Sequence, residues 1–293
     1  MLDFPLTMSA ETLPCYGKIN LFLEVGERRP DGYHNLGSLF HTVACGDQLH
    51  AEPWDDLLLD CPPGITKDGE ENLVIRAARL LRETHAGKLG SKAPGIRFRL
   101  EKNLPSAAGL GGGSSDAAAA LNLCNRLWKL GLTNKDLLPL AARLGADVPF
   151  FLMGGSAFGE GKGEVLSVAP APYPFHIVIG TPECRVETAW AYGQLDAGRK
   201  SQWGKFKALY MNFSEEWEFF QLLRNDFEAP MERHFIPIRE LSARMKAFSP
   251  VKTLLCGSGA SVFGLFREKS SAESCLEAIR GSCRFACVTA FID

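Results

Sequence analysis

Residues 104–121 read LPSAAGLGGGSSDAAAAL. Four of the five positions from Gly109 to Gly113 are glycine, and two serines, an aspartate and four alanines follow. Each ordered glycine gives up about 0.5–1 kcal/mol more backbone freedom than alanine, so such a run asks for a reason. The flanking patterns supply one: an alternating strand pattern precedes it and an alanine-rich helix follows. A helix N-terminus presents free backbone N–H groups and about half a positive charge. Residues without side chains let the backbone close around an anion there. The stretch reads as a phosphate-binding loop rather than a packing turn.

Two familiar phosphate loops fail on context. A Walker A loop needs G-x-x-x-x-G-K-[ST], and no lysine lies between Leu104 and Leu127. A Rossmann loop needs G-x-G-x-x-G after a buried parallel strand, with an acid about 20 residues on at the end of a second strand. Here Ser114 stands at the third glycine position, and Asp136, at about the right distance, belongs to a helix cap.

Outward from the loop, GIRFRLEKNLP alternates, with Ile96, Phe98 and Leu100 on one face and Arg97, Arg99 and Glu101 on the other, a half-buried strand. A helix is expected from about Ser115 to Leu130, stopped by Gly131. Thr133 and Asp136 form a capping signal for the next helix. Upstream, KINLFLEV puts Ile19, Leu21, Leu23 and Val25 on one strand face and Lys18, Asn20, Phe22 and Glu24 on the other. ENLVIRAARLLRE reads as an amphipathic helix. Downstream, PFHIVIGTP is a strand, and VKTLLCGSGASVFGLF is strand, glycine turn, strand. SAESCLEAIRG is a helix and RFACVTAFID a closing strand. Residues 194–217, with Arg199, Lys200, Lys205 and Lys207 near aromatics, read as a solvated loop or helix face, because so few charges give little affinity for nucleic acid at cellular salt.

The chain has 293 residues, room for one large domain or two ordinary ones. A net charge of −2 argues against a dedicated nucleic-acid binder. No apolar run approaches the roughly 18 residues of a membrane span, and the N-terminal stretch lacks the basic and apolar regions of a signal peptide. Nine scattered cysteines without a C-x-x-C pair suit reduced thiols packed as small core residues. The six histidines show no metal spacing. A cytoplasmic protein without membrane or nucleic-acid partners is expected; monomer or homodimer is left open.

PSAAGLGGGSSDAA resembles the P-x-x-x-G-L-G-x-[GS]-S-S motif of the GHMP kinases, which cradles ATP without a loop lysine. GSGAS, residues 257–261, resembles their C-terminal glycine motif, although alone it also suits a hairpin turn. LGADVPFFLMGG resembles the segment bearing their catalytic aspartate, although alone Asp147 also suits a cap or turn. The segment GKINLFLEVGERRPDGYHNLGSLF, with ETAWAY and NDFE further on, resembles the branch of the family whose acceptor carries a cytosine. Residues 194–217 match no motif.

The resemblance implies a two-domain α+β fold: an N-terminal, ribosomal-protein-S5-domain-2-like ATP-binding domain over 1–165 and a C-terminal α+β domain over 166–293. It implies transfer of the γ-phosphate of ATP, with Mg²⁺, to the 2-hydroxyl of 4-diphosphocytidyl-2-C-methyl-D-erythritol, in the non-mevalonate isoprenoid pathway. ATP is assigned to Pro105, Ser106, Ala107, Ala108, Gly109 and Leu110, and onward to Gly111, Gly112, Gly113, Ser114 and Ser115. Ser115 is also assigned to Mg²⁺. Alanine suits positions 107 and 108 where φ stays negative. Lys18 and Asp147 are the expected catalytic pair, a charge stabiliser and a general base. Asn20, Tyr33, His34, Asp147, Tyr192, Gly257, Ser258 and Gly259 are assigned to the acceptor, with Tyr33 and Tyr192 stacking on cytosine and His34 bonding its edge. A relative acting on homoserine or mevalonate would have no base to stack. A non-catalytic relative would be expected to lack Lys18 or Asp147, and a nucleotide-sugar binder would release no ADP.

Overall fold

The computed structural model describes residues 10–65, 71–90, 94–195, 202–213 and 215–292. The elements run β1 (Glu11–Arg28), β2 (His34–Trp54), β3 (Leu57–Asp60), α1 (Leu73–Thr84), α2 (Ala86–Leu89), β4 (Gly95–Glu101), α3 (Gly112–Leu127), α4 (Asn134–Leu144), α5 (Val148–Met153), β5 (Ser156–Glu160) and β6 (Val165–Val168). They continue as β7 (His176–Pro182), α6 (Thr188–Gly193), α7 (Trp203–Asn212), α8 (Glu216–Leu222), β8 (Arg224–Asn225), α9 (Glu228–His234), α10 (Ile236–Lys246), β9 (Lys252–Leu255), β10 (Val262–Phe266), α11 (Lys269–Arg280) and β11 (Cys283–Thr289).

The chain forms two compact units, one of Met1–Tyr16, Gly46–Ser106 and Gly112–Met153, the other of Gly17–Cys45, Ala107–Gly111 and Gly154–Asp293. This differs from a simple division after residue 165. β1 and β2 are long, 18 and 21 residues, and each contributes one end to each unit, so neither unit is continuous in sequence.

In the first unit, residues 48–54 of β2 pair antiparallel with β4, and β3 runs parallel to β4 on its other side. Helices α1, α3, α4 and α5 share a core with Leu49, Ile96, Phe98 and Leu100. The four alanines of α3 are all buried there; their small side chains let neighbouring helices approach closely. β4 alternates as its sequence predicts. The capping box of Thr133 and Asp136 starts α4, with the Thr133 backbone N–H donating to Asp136 Oδ2 at 2.8 Å.

In the second unit, a four-stranded antiparallel sheet in the order β11-β7-β10-β9 packs on α10 and α11 through Val178, Val262, Met245 and Ile279. Residues 38–41 of β2 pair with β5, and β8 lies parallel to β1 at Phe22 and Leu23.

One local expectation changes and two gain detail. Helix α3 begins at Gly112, three residues early, and ends at Leu127, because Lys129 and Gly131 both take positive φ. On β1 the polar face is as buried as the apolar one: Lys18, Asn20 and Glu24 are at most 4% exposed. Within residues 194–217, α7 presents the expected solvated face, with Lys205 exposed, but its opposite face is packed. Its Phe206 and Tyr210 are buried, Phe206 stacks on Phe22, and Lys207 pairs with Glu160 at 3.2 Å. Arg199 and Lys200 lie outside the described residues. All nine cysteines are free thiols, four of them fully buried. Among the described residues no helix is long and apolar enough to cross a membrane.

Candidate active site

In the second unit, β1 carries a buried polar relay. The Lys18 ammonium donates to Asn20 Oδ1 at 2.9 Å, Asn20 Nδ2 donates to Ser38 Oγ at 2.8 Å, and Ser38 Oγ donates to the carbonyl of Phe22 at 2.8 Å. Strand periodicity puts Lys18 and Asn20 on one face, and Ser38 fixes which way the carboxamide points. The Lys18 ammonium also lies 5.4 Å from the centre of the Phe40 ring. Ser38 had no sequence signal, since it becomes a neighbour only when β2 comes alongside.

Two glycine elements meet beside this relay. Residues 107–111 have positive φ at Ala107 (52°), Gly109 (80°) and Gly111 (72°). The C-terminal turn has positive φ at Gly257 (54°) and Gly259 (100°). A Cβ on Gly109 would overlap the carbonyl of Cys256, and one on Gly257 would lie 3.5 Å from Gly109 Cα and 3.6 Å from Lys18 Nζ. The loop is tied down by backbone bonds from Lys18 N–H to Leu110 O (2.9 Å) and from Ser261 N–H to Ala108 O (3.2 Å). The condition on the alanines is met at Ala108 but not at Ala107, which holds a left-handed conformation with a Cβ present.

The ring-bearing residues of the same unit are arranged differently from a simple pair of tyrosines. Tyr192 stacks on His34, centroids 5.2 Å apart, and meets Phe227 edge-on. Tyr33 is 59% exposed, with the Lys162 ammonium 4.3 Å from its ring centre. His34 Nδ1 bonds the carbonyl of Gly26 at 3.2 Å, so that nitrogen is the donor and Nε2 is the acceptor of the neutral ring. Ser258 Oγ lies 3.3 Å from Thr188 Oγ1, at the start of the helix that carries Tyr192.

The first unit holds Pro105, Ser106, Gly112, Gly113, Ser114, Ser115 and Asp147. Asp147 sits half-buried in the turn before α5. Ser115 is buried in the first turns of α3. Beneath that turn lies a charge cluster that the sequence reading missed. Asp47 Oδ1 accepts from the backbone N–H groups of Asn103 (2.6 Å) and Leu104 (2.7 Å). The Lys102 ammonium donates to Asp47 Oδ2, and to Asp116 Oδ2 at 2.9 Å. Burial, helped by the charge of Asp47 and opposed by that of Lys102, pushes the Asp116 carboxyl up to about 7. Burial pulls the Lys102 ammonium down, but Asp116 and Asp47 more than offset this and hold it above its usual value. The signal for Lys102 was its place just ahead of the loop, two residues before Leu104.

Among the described residues no three His, Cys, Asp or Glu side chains are grouped to hold a metal ion.

The family model described as "GHMP kinases N terminal domain" matches residues 72–155. The chain is 37% identical over 281 residues to the 4-diphosphocytidyl-2-C-methyl-D-erythritol kinase of Chloroherpeton thalassium, covering 92% of this chain and 94% of that one. It is 40% identical over 269 residues to the enzyme of the same name from Herminiimonas arsenicoxydans, covering 91% and 90%. Its fold superposes on a crystal structure of 4-(cytidine 5'-diphospho)-2C-methyl-D-erythritol kinase with a TM-score of 0.79 at 35% identity, over 97% of this chain and all of that one. A homoserine kinase from Cytophaga hutchinsonii, at 18% identity and a TM-score of 0.74, shares the fold. Full-length identity at this level, on a two-domain α+β fold with the glycine loop ahead of α3, leaves one conclusion: the chain belongs to the 4-diphosphocytidyl-2-C-methyl-D-erythritol kinase family of the GHMP kinases.

Proposed function

We propose that the chain transfers the γ-phosphoryl group of ATP to the 2-hydroxyl of 4-diphosphocytidyl-2-C-methyl-D-erythritol, releasing ADP, as a cytoplasmic step of isoprenoid precursor synthesis. The observation that carries this reading is Lys18. Its backbone N–H holds the glycine loop at Leu110 while its ammonium donates to Asn20, which supports a role for one residue toward both the phosphates and the acceptor.

Phosphoryl transfer asks the protein for position and for neutralisation of charge on the moving group. Backbone N–H groups of residues 106–115 would take the phosphates. The Lys18 ammonium would offset the charge that develops on the transferring oxygens. Asp147 would orient the acceptor hydroxyl or accept its proton. That hydroxyl is tertiary and hindered, which raises the demand on positioning. A cytosine edge offers an amino donor, and His34 Nε2 is the acceptor facing outward from the Gly26 bond. Tyr33 and Tyr192 would supply ring faces. Ser115 and the phosphates would hold Mg²⁺, which supplies charge neutralisation when bound.

The test is ADP release from Mg-ATP with three acceptors: the cytidylated methylerythritol, mevalonate and homoserine. Turnover with the first alone is expected. Asp147→Asn should lower kcat by about 100-fold or more, and turnover near wild type in that variant would remove the base assignment. Turnover only with another alcohol would overturn the substrate reading.

A further inference from the structure

Asn225 lies in the NDFE segment and belongs to no part of the mechanism above. It is buried, 5% exposed, in the two-residue strand β8. Its carboxamide is fully used. Nδ2 donates to the carbonyls of Leu255 and Gly257, both at 2.8 Å, and Oδ1 accepts from the backbone N–H of Phe227 at 2.9 Å. Those two carbonyls bracket Cys256, where the chain leaves β9 for the glycine turn. β9 is the edge strand of its sheet, so its outer carbonyls have no ladder partner, and a side chain must serve them or leave them unpaired.

The other side of Asn225 is fixed to β1. Leu23 pairs with Asn225 in register, Asp226 N–H donates to Leu23 O at 2.9 Å, and Asp226 Oδ2 accepts from Val25 N–H at 3.0 Å. Arg224 pairs with Glu24 on the same strand. β1 is the strand that carries Lys18 and Asn20. Asn225 therefore joins the strand bearing the lysine, through the pairing of β8, to the turn at Gly257, through its carboxamide.

We propose that Asn225 is a positioning residue for phosphoryl transfer: by holding the carbonyls of Leu255 and Gly257 it sets the distance between the C-terminal glycine turn, the glycine loop and Lys18. This rests on the kinase reading above. Only an amide does this work, because the position faces two acceptors and one donor. Asn225→Asp keeps the shape but turns an oxygen toward two carbonyls, and Asn225→Ala removes the link. A misplacement of about 1 Å at a reacting group costs on the order of 100-fold in rate.

The test compares kcat and KM of Asn225→Asp and Asn225→Ala with those of Ile279→Ala, a cavity in the apolar core of the same unit that removes no polar group. Turnover is read with whichever acceptor the wild type uses, so a different acceptor would revise the function and leave this test intact. The Asn225 variants are expected to lose about 30-fold or more in kcat with KM within about threefold, while Ile279→Ala loses thermal stability but keeps kcat within about twofold. Asn225 variants that lose only thermal stability, as Ile279→Ala does, would overturn the proposal. If Asn225→Asp does not fold, Asn225→Ser, whose hydroxyl still serves one carbonyl, is expected to turn over between wild type and Asn225→Ala. A serine variant as fast as wild type would equally overturn it.

Discussion

The chain leading into the glycine loop and the chain leading into the C-terminal glycine turn pose the same problem with opposite polarity. At residues 103–104 the groups to be satisfied are backbone N–H donors, and the carboxylate of Asp47 takes both. At residues 255–257 they are carbonyl acceptors, and the amide of Asn225 takes both. A carboxylate in a buried place needs a cation, so Lys102 is buried with it, and Lys102 in turn draws in Asp116. A carboxamide needs nothing further. The chain at residues 103–104 is thus held by an ionic cluster and the turn by one neutral group, and the two should fail in different ways.

The largest difference should come from removing the cation. Lys102→Met leaves Asp47 and Asp116 buried side by side without a countercharge. Breaking a buried pair in this way costs about 3–5 kcal/mol, to be read from the shift of the denaturant midpoint. A loss below about 1 kcal/mol would mean that the carboxylates find other partners, and the contrast with Asn225 would collapse.

A smaller effect should appear with pH. The Asp116 carboxyl titrates near 7 in the fold and near 3.8 otherwise. Between those values the folded chain keeps a proton that the unfolded chain has released, so stability falls as pH rises from about 4 to 7 and then levels off. The groups facing it are Lys102, Asp47 and the thiol of Cys15, which burial and these two carboxylates hold well above its usual range. Asp116→Asn should flatten that slope. Burial also raises Glu228 to about 7, but in wild type and variant alike, so its contribution cancels. Equal slopes for the two proteins, measured from pH 5 to 8, would sink the idea.

The smallest effect should come from the one position where the loop is less well adapted than the turn. Gly257 and Gly259 meet every positive φ of the turn without a side chain, whereas Ala107 holds φ 52° with one. Ala107→Gly relieves a left-handed alanine at the cost of glycine's greater freedom when unfolded, a net gain of about 0.5–1 kcal/mol. A rise of a few degrees in Tm would sharpen the contrast, and a fall would show that the alanine side chain contributes packing worth more than its strain.

The parts legible in the sequence were those whose cause is local. Thr133 and Asp136 are three residues apart, the alternation of β4 has a period of two, and the glycine loop spans five positions. What escaped has a cause distant in the chain. Asp47 and Lys102 are 55 residues apart, and Asn225 and Leu255 are 30 apart. Whether the polar face of β1 meets solvent was not legible, because alternation reports polarity, not water, and a buried polar relay has the same pattern. Residues 203–212 carry lysines that suggested solvent, yet Lys207 finds Glu160 across the unit, where the Trp203 indole also donates at 2.6 Å.

The stack of Tyr192 on His34 bears on how tightly any base can be held. The two rings already cover each other's faces, and Tyr192 has a further edge contact with Phe227. On the proposed reading, a pyrimidine taking the Tyr192 face that His34 covers would gain it only as His34 gives it up and turns to the base's edge. Its affinity is then an exchange of partners, set by how much better it stacks than they do, and not a gain over bare surface. Truncating Tyr192 would remove both the old partner and the new one, and a pyrimidine enlarged by a methyl group would gain less than its added area suggests.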